Sequence, residues 1–500
     1  MVGITETISN ALVASFMEVN IASKTLQLIV EFENNKNVFD YRFECDDVLM
    51  WPYIRWPLSL QLDSIIYPSD YLSMALSSRK WYHLVKYICG SYVGKPSIKN
   101  NDSIQVVIFG SGVGNHTKRD CYFNRLTDYF YFQKEESTLV IEDSFHKQYK
   151  IPRCIKNISY HDWYYIRAAI SRRLKKLTYK DKKSIDTLMA LLRTNFNEYL
   201  NEDNYQRIEN ILTVVATSLP TWYKTYNKLF TKAKPKLVML EDAAYGSRSH
   251  IIKWAKNHNI PTAEYQHGMI SHNHVAYNYK YKAHNKNFYN QYLPDYYLLY
   301  GKYWSEQICF PSKKIIIGNP YYSESILRVR ELSKSKKPIK KILFLSTGLK
   351  VNIVKQIILE LRECLDVNIF EIFFRPHPGE RRLVTQRYGD LINKKCFQVD
   401  TTEDLYDSIF NSDYVVGDCS TAVFEAMGLC EYVYIIDHEY TRLNMPIQLF
   451  NIVKSGKELS EKIQKSQTVL REVHLELKIK DIWANDWKNN YLEFLDYLNI

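Results

Sequence analysis

Residues 413–429, DYVVGDCSTAVFEAMGL, decide the fold. DYVVGD (Asp413 to Asp418) is a short apolar run that reads as a buried parallel strand, and STAVFEAMGL reads as a helix opening at Ser420, whose hydroxyl suits an N-cap. YVYIID is the next strand, so the unit is strand, helix, strand, which requires a parallel sheet. Upstream, ILFLSTG (Ile342 to Gly348), a helix over about 350–364 and IFEIFFR (Ile369 to Arg375) repeat the pattern. An earlier series does the same: IQVVIF (Ile104 to Phe109) running into GSGVGNH, TLVI (Thr138 to Ile141) ending in Glu142 and Asp143, PKLVMLED (Pro235 to Asp242), PTAEYQHG (Pro261 to Gly268), YYLLYG and IIIGNP (Ile315 to Pro320).

Two such series predict an α/β protein with two Rossmann-like doubly wound domains facing a cleft. The Lys-rich SKSKKPIKK (Ser333 to Lys341) separates them. The expected division is an N-terminal extension of mixed structure (1–100), a first Rossmann-like domain (101–332), a second (333–454), and C-terminal helices (455–500). Within the first domain the period turns helical from Trp163 to about Leu229, with Pro220 as its first strong breaker. WPYIRWPL (Trp51 to Leu58) carries two prolines expected to break any helix.

Composition narrows the class. The 500 residues are 46% apolar and 24% charged, which excludes a disordered or fibrous chain, and 66 Lys+Arg against 55 Asp+Glu leaves +11. That excess suits phosphates, acidic small molecules or an anionic membrane surface, and does not by itself make a nucleic-acid binder. The nine cysteines are odd in number and scattered without a C-x-x-C pair, so neither a disulfide framework nor a thiolate zinc site is legible and a reducing cytosol is expected. Glu6 stands where a signal peptide needs positive charge, and no apolar run approaches the roughly 18 residues that span a bilayer. The expected location is cytoplasmic.

Ligands of doubly wound sheets bind beyond the carboxyl ends of the strands, so residues just past each strand are the candidates. Arg375-Pro376-His377-Pro378-Gly379-Glu380 aims an imidazole between two prolines, and Arg375 and His377 are donors suited to phosphate. Ser420 and Thr421 open the next helix, where unpaired amides favour a phosphate, and Glu425 lies one turn on, placed for a ribose diol. Ser346-Thr347-Gly348 offers a third turn. A satisfied structural histidine and a plain N-cap are the alternative readings of the first two elements, and a small-residue turn is that of the third.

On the other domain Glu241-Asp242 and Gln266-His267-Gly268 end successive strands on one cleft edge, and a carboxylate or imidazole there can take a proton from an attacking hydroxyl. Asp242 is the preferred base, Glu142-Asp143 is a rival of the same shape, and His267 has an orienting role as its alternative. GSGVG lacks the third glycine of a dinucleotide loop, since Asn115 stands there, and no P-loop occurs. His272 and His274 form no metal-ligand spacing, so no metal is assigned.

RPHP, GDCSTAVFEAMG and EYQHG together resemble the GT-B glycosyltransferases of bacterial surface polysaccharide assembly over about residues 100–450. The similarity is greatest to polysialyltransferases, bacterial sialyltransferases and β-Kdo transferases, which use CMP-activated sugars. The resemblance implies that His377, Ser420 and Thr421 hold the donor's cytidine phosphate and that Glu241-Asp242 supplies the base, with Ala243 replacing the motif's glycine. The teichoic-acid polymerases that use CDP-glycerol look alike in the same segments, and the E-A segment is shared with UDP-sugar transferases and UDP-GlcNAc 2-epimerases. The expectation is an inverting, metal- and cofactor-independent glycosyltransferase that moves an acidic sugar from a CMP-sugar to a growing surface glycan, with no nucleic-acid partner. A lipid-linked acceptor would bring it to the inner membrane face. A non-catalytic glycan-binding scaffold is the rival outside enzymes.

Overall fold

The computed structural model describes residues 22–70, 81–96, 103–279, 289–332, 338–446, 449–465 and 479–500. The first 17 residues, Ser333 to Lys337 of the connector and 466–478 of the C-terminal region, each read above, lie outside them.

The strands are, in chain order, β1 (Val106–Ser111), β2 (Asn115–Lys118), β3 (Cys121–Asn124), β4 (Thr138–Asp143), β5 (Ile158–Tyr160), β6 (Leu237–Leu240), β7 (Thr262–Tyr265), β8 (Tyr296–Leu299) and β9 (Lys313–Ile316), then β10 (Lys340–Leu345), β11 (Phe370–Arg375), β12 (Gln398–Val399), β13 (Tyr414–Gly417), β14 (Tyr432–Ile436) and β15 (Asn451–Val453). Seven form one sheet, β5-β4-β1-β6-β7-β8-β9, and six form another, β12-β11-β10-β13-β14-β15; all neighbours run parallel. Val106, Val107, Ile108 and Phe109 are each 0% exposed. Burial on both faces is why these strands read as unbroken apolar runs, and each such side chain contributes about 1.5–3 kcal/mol.

Each sheet reverses its strand order once. In the first the chain goes from β1 outward to β4 and β5 and returns at β6; in the second it goes from β10 to β11 and β12 and returns at β13. The crevices at β1/β6 and β10/β13 are therefore the topological switch points where such sheets take ligands. The chain then crosses back, and helix Trp487–Tyr497 sets Tyr491, Phe494 and Leu495 against Val106, Ile108, Leu237 and Met239 of the first sheet. Two Rossmann-like domains with a returning C-terminal helix constitute the GT-B arrangement.

Several local expectations are corrected. WPYIRWPL does not break a helix but opens one, Trp51–Ile66: Pro52 takes a first-turn position where its missing N–H costs nothing, and Pro57 is carried inside a helix whose Trp51, Ile54, Leu58 and Leu62 are fully buried. Pro220 likewise sits within Glu202–Ala233, while the helical stretch breaks elsewhere, between Asp162–Leu174, Tyr179–Phe196 and Glu202–Ala233. Asn201 caps the last of these reciprocally with Asn204. Buried residues from Leu26 to Leu62 share one apolar cluster with Glu202–Ala233, the first sheet and part of the second. Cys121 and Cys154 are joined in a disulfide, contrary to the reading of the cysteines. Folding the β2–β3 hairpin onto residues 151–154 creates that pair, which no sequence spacing announces. Among the described residues no helix is long and apolar enough to cross a membrane.

Candidate functional site

At the first switch point Glu241 follows β6 and reaches across to β1: its carboxylate accepts from Ser111 N at 2.7 Å and from Ser111 Oγ at 3.0 Å. Burial, with Asp242 beside it, raises Glu241 to about 7, although Arg248 pulls the other way. Asp242 is held at φ 45° with its side chain 33% exposed, and its Oδ1 stands 3.3 Å from Arg248 Nη1. The turn carrying Asp242 is tied from behind, because buried Glu264 accepts from Ala244 N at 2.9 Å and from the Tyr277 hydroxyl at 2.7 Å.

Asp143, the rival base, is consumed. It pairs with His161 Nδ1 at 2.8 Å and with Arg248 Nη2 at 2.6 Å. Burial opposes its charge, but His161 and Arg248, with the hydrogen bonds they make to it, hold it at about 2. A carboxylate that weakly basic cannot take a proton usefully near neutrality, so its place is to fix Arg248 beside Asp242. His267 is within 3.2 Å of the Tyr245 hydroxyl through Nε2, and burial lowers it while Asp242 raises it. A neutral imidazole beside Asp242 can accept a proton or orient the acceptor. Nearby, His274 is not exposed for metal or proton chemistry: it stacks on Trp56 at 4.9 Å and on Tyr245 at 5.7 Å, and burial pushes it down to about 3.

The second switch point is built the same way. Past β10, Thr347 Oγ1 donates to Asp418 Oδ2 past β13 at 2.6 Å, and Ser346 Oγ donates to Glu380 Oε2 at 2.7 Å, tying the turn to the RPHPGE loop. Gly348 adopts φ +74°, and a β-carbon there would lie 2.9 Å from Arg387 Nη1 and 3.1 Å from Glu380 Oε1, so glycine is required. His377 stands exposed on that loop, and Gly379 N donates to its Nδ1 at 3.2 Å. The neutral ring therefore carries its proton on Nε2, as a donor. Its pKa is lowered, first by desolvation, although the residue keeps contact with solvent.

Arg375 is held within its own domain. Its guanidinium donates to Asp400 Oδ2 (2.8 Å), Ser408 Oγ (3.0 Å) and the carbonyls of Thr402 and Glu403 (2.7 and 3.1 Å), and the residue is 8% exposed. These bonds, made through Nη1 and one Nη2 contact, brace the strand end. The helix at Ser420 differs from expectation. It spans only Thr421–Ala426, and Ser420 Oγ is its cap, accepting from Ala422 N at 3.2 Å. Six residues carry little macrodipole, so what this turn offers an anion is the hydroxyl hydrogens of Ser420 and Thr421. Glu425 lies half-buried, raised by burial and opposed by Arg125.

Arg125 was not among the residues that the sequence singles out. It follows β3 in the first domain, its guanidinium lies 5.8 Å from the centre of the Tyr321 ring, and its charge bears on both His377 and Glu425 of the second. Nothing in RDCYFNRLTDYF marks it; the hairpin that aims it is fastened by the Cys121–Cys154 bond and by Arg153 pairing with Asp128 at 2.9 Å. The two halves meet closely, for a β-carbon on Gly268 would lie 4.0 Å from Thr421 Oγ1. Among the described residues no group of three or more His, Cys, Asp or Glu is arranged to hold a metal ion.

No protein-family model and no curated protein matches the chain. Among solved structures it is similar to the UDP-GlcNAc 2-epimerase of Methanocaldococcus jannaschii (12% identity, 79% of this chain and 100% of that one, TM-score 0.44). It is also similar to the wall teichoic acid polymerase TagF (12%, 84% and 96%, TM-score 0.42) and to the lipopolysaccharide outer core galactosyltransferase WaaB (11%, 79% and 99%, TM-score 0.42). No activity follows from likenesses at this level.

Proposed function

We propose that the protein is an inverting glycosyltransferase that uses a nucleotide-sugar donor and needs neither metal nor organic cofactor. The observation that carries the reading is the opposition of the two switch points: proton-accepting groups, Glu241, Asp242 and His267, on one side, and phosphate-suited donors, His377, Ser420 and Thr421, on the other, so near at Gly268 that a β-carbon there would lie 4.0 Å from Thr421 Oγ1. In the reaction Asp242 accepts the proton of the acceptor hydroxyl as its oxygen attacks the anomeric carbon. The bond from that carbon to the phosphate oxygen breaks, and the nucleotide leaves with the electron pair toward His377, Ser420, Thr421 and Arg125. Donors fixed where charge develops stabilise the transition state most. Thr347 and Gly348 shape the phosphate turn, and Glu425 is placed for the ribose.

The finer reading is a CMP-activated acidic sugar delivered to a growing bacterial surface glycan. It rests on the resemblance of RPHP and GDCST to the CMP-sugar families. The deciding assay incubates the protein with CMP-, UDP- and GDP-sugars with and without glycan acceptors and follows nucleotide release and product. Acceptor-dependent release with inversion supports a transferase; sugar interconversion without acceptor would make it an epimerase, and binding of glycan without any turnover a scaffold.

A further inference from the structure

A groove of about 520 Å³ in the first domain is lined by Trp163 and Arg167 from Asp162–Leu174, by Lys224, Lys228 and Lys232 from Glu202–Ala233, and by Lys95 just beyond helix Trp81–Val93. No carboxylate lines it, and the lysine ion pairs among the described residues involve other lysines. Lys224, Lys228 and Lys232 recur every fourth residue, which stacks like charge along one helical face and disfavours the helix unless an anion answers it.

The margin of the groove is apolar and open. Trp163, Arg167, Ile170 and Leu174 follow one another at helical spacing on a single face, and that face continues from the groove to Ile170 and Leu174, which are 57% and 87% exposed. On the other side Tyr92 meets Trp163 edge-on at 5.0 Å, and from Tyr92 the exposed residues Ile88 and Leu84 run back along their helix, with Val93, 83% exposed, beside them. Lys175 and Lys176 follow Leu174 directly in the chain and are exposed.

We infer that this face docks on an anionic phospholipid bilayer, its cations against headgroup phosphates and its apolar side chains at the boundary of the acyl region. Charge alone would equally suit a soluble polyanion, but that leaves Leu174 and Val93 without a reason to face water; unpaired cations bordered by protruding apolar side chains are what an interfacial surface requires. The inference stands without the proposed reaction. If both hold, the face brings the acceptor-side domain to lipid-linked substrate.

The full chain is sedimented with phosphatidylcholine vesicles containing or lacking phosphatidylglycerol. Binding is expected only with phosphatidylglycerol and to weaken as salt rises. The triple variant K224E/K228E/K232E is expected to lose at least about a hundredfold in partitioning, at about fivefold per charge near the surface, with its circular dichroism spectrum unchanged. I170S/L174S is expected to lose at least about fivefold. Failure of the wild-type chain to bind phosphatidylglycerol vesicles at low salt, or a triple variant that binds as wild type, overturns the inference. So does a dependence on the lysines alone with full competition by soluble polyphosphate, which would make the groove a site for a soluble polyanion.

Discussion

Gly268 and Thr421 face each other across the cleft, and a β-carbon on Gly268 would meet Thr421 Oγ1 at 4.0 Å and no other atom that close. One residue lies in the loop three positions past β7 of the first sheet and the other opens the helix after β13, so their approach brings the carboxyl edges of the two sheets together. Each reversal is bridged by one side chain: Ser111 to Glu241 in the first, Thr347 to Asp418 in the second. Gly268→Val should therefore leave the melting temperature nearly unchanged while lowering turnover at least about tenfold, since its methyls enter the space the transferred sugar must cross. Normal turnover in the valine variant would place the reaction elsewhere.

Asp242→Asn is expected to reduce turnover by about 10²–10⁴ while nucleotide affinity stays within a few fold, because a base acts on the acceptor proton and not on the leaving phosphate. Steady-state kinetics alongside nucleotide titration checks both halves. A fully active Asp242→Asn with a dead His267→Ala would move the base to the imidazole.

Asp143 gives an acid-side signature. Its pKa is about 2 folded against 3.8 ordinarily, so the ionised group stabilises the fold above pH 3.8 by about 2 kcal/mol and that contribution fades as pH falls toward 2. Asp143→Asn should remove this dependence and, by leaving buried Arg248 and His161 short of a partner, cost about 3–5 kcal/mol at neutral pH. Urea unfolding across pH 2–7 measures it.

Glu241 runs the opposite way. The unfolded carboxyl ionises near 4.5 and the folded one near 7, so the folded state keeps a proton the unfolded chain has shed and loses about 3 kcal/mol of stability between those values. Glu241→Gln should flatten the decline and be relatively more stable at pH 8 than at pH 4.5. An unchanged slope would show that Glu241 is ionised at no cost.

How much of this was legible follows from range. The strands announced themselves because each is a local apolar run buried on both faces, and the positions of His377 and Ser420 past strand ends were legible because a strand end followed by a turn residue is a local pattern. The partners of Arg375 were not legible because Asp400 and Ser408 come from beyond β12, some 25 and 33 residues on. Pro57 and Pro220 misled because tertiary burial along Leu58, Leu62, Leu212 and Leu219 outweighs one lost hydrogen bond. Arg125 and the Cys121–Cys154 bond depend on how a hairpin folds back, which no window of sequence contains.

Arg125 and Arg375 should separate cleanly. Arg125→Ala is expected to weaken nucleotide binding by about 1.5–3 kcal/mol, the worth of a charge-assisted contact, with the fold intact. Arg375→Ala should instead destabilise the second domain by about 3–5 kcal/mol, because it strands buried Asp400. Thermal melts with and without nucleotide distinguish the two, and reversal of the pattern would return the phosphate contact to Arg375.

The base of the nucleotide is tested by thermal stabilisation with CMP, UDP and GDP at equal concentration, and CMP is expected to shift the melting temperature most. A ligand bound only by the folded state adds RT ln(1 + [L]/Kd), about 2.7 kcal/mol at a hundredfold excess, so a tenfold preference is readily visible. In the proposed site His377, Ser420 and Arg125 answer phosphate and would contribute affinity to all three ligands alike, so discrimination has to come from the base edge. His377→Ala and Ser420→Ala should accordingly lower all three shifts together and preserve their order. A larger shift with UDP or GDP would remove the CMP-sugar reading and leave the transferase standing. Absence of any shift would remove the nucleotide site, and with it the proposed reaction.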